Sequence, residues 1–335
     1  VAGTSTVAGT ITDFAIIKFS PAGDTVWVRR IDNPITHFET CSLLAVDGDD
    51  NIIVAGTTYS TATQNDIMTA KLNNDGDLLW FRTFDGAAHA DDYPYAVATD
   101  PQGNIYVTGS TATVRNWPAL EDFVTMKYSS SGSEQWVRFH DGGGDGDVAH
   151  DIDIDSSGNV YVTGNVNTSP AVPGIHCTTI KYSPDGDTAW VRTADDSAPN
   201  SYSAGVELEI DAEQNIYVGG SIDEGFNSRA LIVKYNSNGD KLWQRVHLEG
   251  TTRWDNLVDM ALAPTGGVVI TGSGTDIFTA RYSAAGDTLW SRKWSNGLSV
   301  YREASALAVN AAGDVFVAGC VGASTDYHQG LTLCY

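Results

Sequence analysis

The sequence predicts an all-β fold, a seven-bladed β-propeller of four-stranded antiparallel blades whose closing blade is incomplete. Three observations predict it. A unit of 47 to 56 residues recurs from end to end of the 335-residue chain, a period that suits propeller blades. Each unit parses into four short apolar or alternating runs bounded by Gly, Asn, Asp or Pro. No window sustains the 3.6-residue period of a helix.

The elements follow in order within each unit. The first strand is the run Leu43 to Val46 and its equivalents. An Asp-x-x-Gly-Asn type of turn follows, with Asp47, Asp100, Asp155, Asp211, Ala263 or Asn310 at its head. The second strand ends nine residues later at Gly56, Gly109, Gly164, Gly220, Gly272 or Gly319, and Gly3 is the corresponding residue of the first unit. The third strand carries Lys18, Lys71, Lys127, Lys181, Lys234 or Arg281. Beyond a turn at Gly23, Gly76, Gly132, Gly186, Gly239 or Gly286, the fourth strand carries Trp and then Arg two residues on, as in Trp80 and Arg82. A single propeller domain over 1–335 is therefore expected, with units at about 1–41, 42–94, 95–149, 150–204, 205–256, 257–303 and 304–335.

Composition narrows the function. Asp and Glu number 42 against 19 Lys and Arg, a formal charge of −23, which disfavours nucleic acid as a partner. No run of apolar residues is long enough for a membrane span. The motifs of a serine nucleophile elbow, an H-E-x-x-H zinc site and a phosphate loop are missing, so no catalytic residue is assigned. The seven His are spread over six units at no ligand spacing, and most are expected on the surface or in loops.

The pattern Asp-x-x-Gly-Asn-x-Tyr-Val-Thr-Gly, then Lys-Tyr, then Gly-x-x-x-Trp-x-Arg resembles the SBBP repeat, the seven-bladed-propeller repeat of secreted and surface bacterial proteins. The resemblance extends over essentially the whole chain. It implies an exported protein, extracellular or at the cell surface, with the periplasm as the alternative. The Gly-Asp-Thr-x-Trp segment is also similar to the tryptophan-docking motif of quinoprotein propellers.

Repetition separates scaffold from candidate sites. Each repeated Trp is expected to pack between neighbouring blades. Each repeated Lys or Arg is expected to pair with a repeated acid of an adjacent blade; Asp13, Asp66, Asp122 and Asp276, five residues before it, are the candidates. The connections between second and third strands vary in length, and variable loops on a rigid scaffold are where binding is built. They direct attention to the non-repeated aromatics Tyr59, Tyr93, Trp117, Tyr202, Trp254, Tyr301 and Tyr327 as ligand contacts. First strands that present Ala in most units carry Asp151, Asp153, Glu207, Glu209 and Asp259 in three consecutive ones. Crowded carboxylates raise one another's pKa unless a cation intervenes, and Ca²⁺ is the cofactor expected there; pairing with the repeated Lys and Arg is the alternative. The segment Asp141-Gly-Gly-Gly-Asp145-Gly-Asp147 also looks like a Ca²⁺ loop, although it lacks a spaced bidentate Glu.

Of the four cysteines, Cys320 and Cys334 fall on the second and third strands of the last unit, and a disulfide between them is the one expected; Cys41 and Cys177 should be unpaired. The first unit lacks a first strand and the last lacks a fourth, so a strand donor from the precursor or a partner is expected to complete the ring. The leading functional expectation is a non-enzymatic binding or assembly module that presents its long-loop face to a protein or glycan. A secreted carbohydrate-active or quinoprotein-like enzyme is the first alternative. A repeating subunit of a filament or surface layer, completed by strand addition, is the second.

Overall fold

The structure, a computed structural model, describes residues 1–7, 11–32, 38–114, 120–144, 146–168, 174–194, 202–224, 227–247, 254–274, 276–295, 301–324 and 327–335. They form 26 β-strands and no helix, and no helix is long and apolar enough to cross a membrane. The recurring element is the four-stranded antiparallel sheet that the repeat predicts. In repeat three, Asp92–Thr99, Ile105–Ala112, Glu121–Tyr128 and Glu134–His140 pair in sequence order. Repeat two builds the same sheet from Glu39–Val46, Ile52–Ser60, Gln64–Leu72 and Leu78–Phe84. Repeats one and seven have three strands each, as the count of motifs predicts.

The residues gather into two bodies, Val1–Val160 with Ser183–Asp187 and Tyr161–Tyr182 with Thr188–Tyr335. In the second, strand three of one repeat touches strand one of the next through a short parallel contact. Ile175 lies beside Tyr202, and Ser228 and Arg229 beside Trp254 and Asp255. Such contacts merge successive sheets into a larger one. The first body contains the same contact as a lone bridge between Thr12 and Phe38.

Strand one is longer than expected: in repeat two it begins at Glu39, not Leu43. The reason is a bulge between Cys41 and Leu43, opposite Gly56. It recurs opposite Gly109, Gly220, Gly272 and Gly319. At the bulge a strand-one carbonyl folds over the glycine, so a Cβ on Gly109 would overlap the Tyr93 oxygen. The repeated glycine is the residue that lets the bulge form. The Asp-x-x-Gly-Asn turn has an equally local cause. Asp100 Oδ1 accepts the N–H groups of Gln102 and Asn104 at 2.9 Å, and the pattern recurs at Asp47 and Asp155.

Successive repeats are latched by strand four. Trp80 Nε1 donates to Ser130 O at 3.1 Å and Arg82 Nε to Gly132 O at 2.7 Å, with the guanidinium 5.8 Å from the indole centre. The latch recurs from Trp27 and Arg29 to Asn74 and Gly76, and from Trp136 and Arg138 to Pro184 and Gly186. In the second body it runs from Trp190 and Arg192 to Ser237 and Gly239, then from Trp243 and Arg245 to Ala284 and Gly286. The Trp packs on the turn glycine: Gly132 has φ +81°, and a Cβ there would lie 2.6 Å from the Trp80 ring. Apolar side chains of adjacent sheets fill the space beneath; Ile53, Ile67 and Trp80 of repeat two meet Ile105, Val107 and Met126 of repeat three.

The ion pairs correct one expectation. The repeated Lys pairs with the turn Asp of its own repeat, not with the acid five residues before it. Lys71 Nζ lies 2.8 Å from Asp47 Oδ2, both side chains almost fully buried, and Lys234 lies 3.4 Å from Asp211. The same ammonium reaches a turn carbonyl of the next repeat, as from Lys127 to Pro184 O at 3.0 Å. Burial opposes the charge on Asp47, but hydrogen bonds from Lys71 and Asn51 prevail and hold its carboxyl at about 2. Asp13, Asp66, Asp122 and Asp276 are thereby released for another role.

Candidate functional site

Two clefts occupy equivalent places in different repeats. One, of about 550 Å³, is lined by Thr40, Ser42, Leu43, Thr57, Asn65, Tyr93, Pro94 and Tyr95. The other, of about 420 Å³, is lined by Asn165, Ile175, Tyr202, Ser203, Ala204, Val206, Ser221, Asp223, Ser228, Asn256 and Leu257. Thr57 and Ser221 each follow the bulge glycine, and Asn65 and Ser228 each stand six residues before the repeated Lys. The bulged residues, Ser42 and Val206, line the two clefts. Their linings are hydroxyls, amides and phenols set among short apolar walls, with the Asp223 carboxylate added in the second, and their sizes fall in the range of small-ligand sites.

Three of the aromatic candidates have described side chains. Tyr93 lines the first cleft and accepts the Asn65 amide at 3.1 Å. Tyr202 lines the second and is half exposed. Tyr59 is exposed and lines neither. Trp117 and the side chains of Trp254, Tyr301 and Tyr327 lie outside the described residues. Tyr95, which the sequence reading passed over, joins Tyr93 and stands edge-on to His150 with centroids 5.5 Å apart.

Above the bulge the chain assembles a second constellation. Asp13, Asp32 and Glu39 bring one carboxylate oxygen each within 4.8 Å of one another, as do Asp66, Asp85 and Asp92, and Asp122, Asp141 and Asp147. The three groups are copies. Their members stand five residues before the repeated Lys, five after the repeated Trp and seventeen before the next glycine that ends a second strand. In the middle group Asp92 accepts the Thr111 hydroxyl and, at 2.6 Å, the Gly86 N–H. Asp66 Oδ2 accepts the Thr63 hydroxyl at 2.7 Å, while its Oδ1 is buried without a hydrogen-bond partner. Asp85 meets the exposed His89 Nδ1 at 2.7 Å. Burial, with the neighbouring carboxylates adding to it, pushes Asp66 and Asp92 up to about 6. Asp122 is raised by burial and then by the charge of Asp141.

The Asp141-to-Asp147 loop therefore supplies two acids of one group; Asp145 lies outside the described residues. Asp151 and Asp153 lie on the strand Val148–Ile154, Glu207 and Glu209 on Tyr202–Ile210, and Asp259 on Trp254–Leu262. None of the five belongs to the acid groups found among the described residues. Asp151 and Asp153 each accept the N–H of the following residue, at 2.8 and 2.7 Å, and Asp259 accepts those of Met260 and Leu307.

One further expectation is corrected. Cys320 and Cys334 are both free thiols. Cys320 pairs across the strands with Gly330 and Cys334 with Phe316, so the two are displaced by four residues, about 13 Å along the strand, too far for a bridge. Two histidines are exceptions to the surface placement expected of most. His176 and His247 are buried, and His247 stacks on Phe278 at 4.9 Å while Nδ1 meets Tyr282 Oη at 2.6 Å.

Comparison with known proteins agrees with the repeat. The beta-propeller repeat family SBBP matches residues 86–113 and 135–169, and a beta-propeller domain of unknown function, DUF5122, matches residues 48–78. An uncharacterized WD repeat-containing protein of Acanthamoeba polyphaga mimivirus is 24% identical across 48% of this chain, a match spanning 15% of the relative's length. Among solved structures, an ulvan lyase bound to a fragment of glucuronate and 3-sulfated rhamnose is similar at a TM-score of 0.55, with 11% identity, over 97% of this chain and 90% of that one. A protein of unknown function from Dyadobacter fermentans is similar at 0.50, with 9% identity, over 88% and 94%. At such identities the likeness is one of fold.

Proposed function

We propose that this chain, which carries SBBP-type β-propeller repeats, is a non-enzymatic, exported binding module whose clefts between successive repeats take a neutral glycan. One observation carries the reading: clefts at equivalent positions are walled by hydroxyls and amides around tyrosine phenols, with one carboxylate, Asp223, in the second. A sugar presents an apolar ring face and a rim of hydroxyls. Tyrosine rings with flanking hydroxyl and amide groups match both parts. The formal charge of −23 disfavours a sulfated or uronate-rich polymer such as the one held by the ulvan lyase, since like charges repel over the whole surface. Catalysis by the lyase route therefore finds less support than binding.

An array of neutral and anionic glycans, probed with the full chain and with Tyr93→Ala and Tyr202→Ala, tests the proposal. Retention on neutral glycans that weakens at least tenfold in either variant supports it. Retention only on anionic glycans, or turnover of an arrayed glycan by the wild type, overturns it. A strand donor at the three-stranded sheets of repeats one and seven belongs to the same proposal as an assembly contact. Light scattering and negative-stain microscopy of the native material test that part.

A further inference from the structure

We propose that the Asp13, Glu39 and Asp32 group and its two copies are Ca²⁺ sites, one at each of the first three junctions between repeats. The groups draw one acid from strand three of a repeat, one from the residue just after its strand four and one from the start of strand one of the next or the residue before it. A cation held there ties two repeats together at the point where their strands run side by side.

The first argument is charge. Three carboxylates converge within 4.8 Å, and two of the three in the middle group, Asp66 and Asp92, are more than nine-tenths buried. Buried like charges are costly unless an opposite charge joins them. Hydrogen bonds from Thr111 and Gly86 fix Asp92 in place but bring no charge. The buried Asp66 Oδ1 has no donor at all. In the first group Asp13 Oδ1 is likewise buried without a hydrogen-bond partner, and Arg30 stands 3.8 Å from Oδ2, a distant and half-exposed neighbour.

The second argument is independent, and it comes from the later repeats. At the same position in repeat five the residue five before the Lys is Arg229, and it faces Asp255 in the parallel contact. In repeat six the roles are exchanged: Asp276 stays and the partner position holds Arg302, 3.3 Å away. The same place is therefore filled differently along the chain: three acids at the first three junctions, His176 and Ser203 at the fourth, and an acid with an arginine at the last two. At the last two an arginine has taken the place of one acid, and only the first three junctions keep three acids together.

The donor set selects the ion. Oxygens alone favour a hard cation, and Ca²⁺ bonds of 2.3–2.6 Å place ligands on opposite sides of the ion about 5 Å apart at most, which accommodates the observed separation. Mg²⁺ demands a stricter octahedron, and Zn²⁺ prefers nitrogen or sulfur.

The test uses the full chain stripped with EDTA and titrated calorimetrically with CaCl₂, then with MgCl₂. Three equivalents of Ca²⁺ are expected, with a Tm about 5 °C or more above that in EDTA. Asp66→Arg copies the arrangement of repeat five. It should bind two equivalents and narrow the difference in Tm between Ca²⁺ and EDTA. Should that variant fail to fold by circular dichroism, Asp122→Asn serves in its place, with the same loss of one equivalent. Fewer than one equivalent in the wild type, an unchanged Tm, or three equivalents retained in the folded variants would each overturn the proposal.

Discussion

Replacing Gly132 by alanine separates the two reasons for glycine at the latch turn. The first reason is conformation: at φ +81° alanine is in the left-handed region, which costs about 1–2 kcal/mol, offset by roughly 0.5 kcal/mol from a stiffer unfolded chain. The second is space. The new Cβ would lie 2.6 Å from the Trp80 ring, so the indole must retreat by about 1 Å to ordinary carbon contact. That retreat stretches the 3.1 Å bond from Nε1 to Ser130 O and slides the ring from beneath Arg82. Losing them costs about 1 kcal/mol and about 0.5–1 kcal/mol respectively. The total is about 3 kcal/mol. Gly23 supplies the matched control: its φ is +88°, yet nothing lies within 4 Å of a Cβ there, so Gly23→Ala should cost about 1 kcal/mol. Urea unfolding of both variants, followed by tryptophan fluorescence and far-ultraviolet circular dichroism, gives the comparison. Equal losses in the two variants would show that the indole contributes nothing to docking and would refute the latch.

Asp47→Asn leaves the buried Lys71 ammonium without its counter-charge and should cost about 3–5 kcal/mol. Because the Asp47 carboxyl is held at about 2, its contribution is complete above the ordinary carboxylate pKa and is lost as pH falls through about 2, which acid titration of wild type against the variant detects. Asp66 and Asp92 act in the opposite sense. Their folded pKa of about 6 exceeds the unfolded value, so in EDTA the folded state binds more protons between about pH 4 and 6. Stability there should rise as pH falls, by up to about 3 kcal/mol for each carboxyl, and the double variant Asp66→Asn, Asp92→Asn should flatten that slope. Among the thiols, exposed Cys334 should react with a disulfide reagent within minutes. Cys41, buried and pushed up to about 11, should react only on unfolding.

The order of the elements was legible because the chain repeats itself. Columns of Gly, Lys, Trp and Arg announce strands and turns more surely than any single run of apolar residues. The Trp docking was legible for the same reason, while the Lys partner was not. A residue five positions away on one strand looks like a partner by spacing, yet the turn that brings Asp47 beneath Lys71 is a property of the folded hairpin. The acid groups were hidden for a further reason. Strand one looks four residues long until the bulge opposite Gly56 is known, and the extra residue shifts which side chains north of it face the neighbouring repeat. Glu39 and Asp92 stood in a column of their own, seventeen residues before the glycine, but that column changes to Ser203, Asp255 and Arg302 later in the chain. The change, which disguised the pattern, is the best evidence of what it does.

The latch has a bearing on how such chains change length. In five repeats Trp and Arg grip main-chain oxygens of the next, and the residue whose carbonyl takes the indole N–H is Asn74, Ser130, Pro184, Ser237 or Ala284 in turn. A connector that ignores the side chains of its socket fits any socket of the same shape. Unequal recombination that deletes or duplicates one repeat would therefore create a novel neighbour pair whose coupling already works, before any compensating substitution arises. The acid and arginine positions carry no such freedom: a transplanted repeat brings half of a junction with it, and Arg229 placed before Arg302 would set two guanidinium groups against each other. Length is left open by the backbone contacts, and order is restricted by the charged ones.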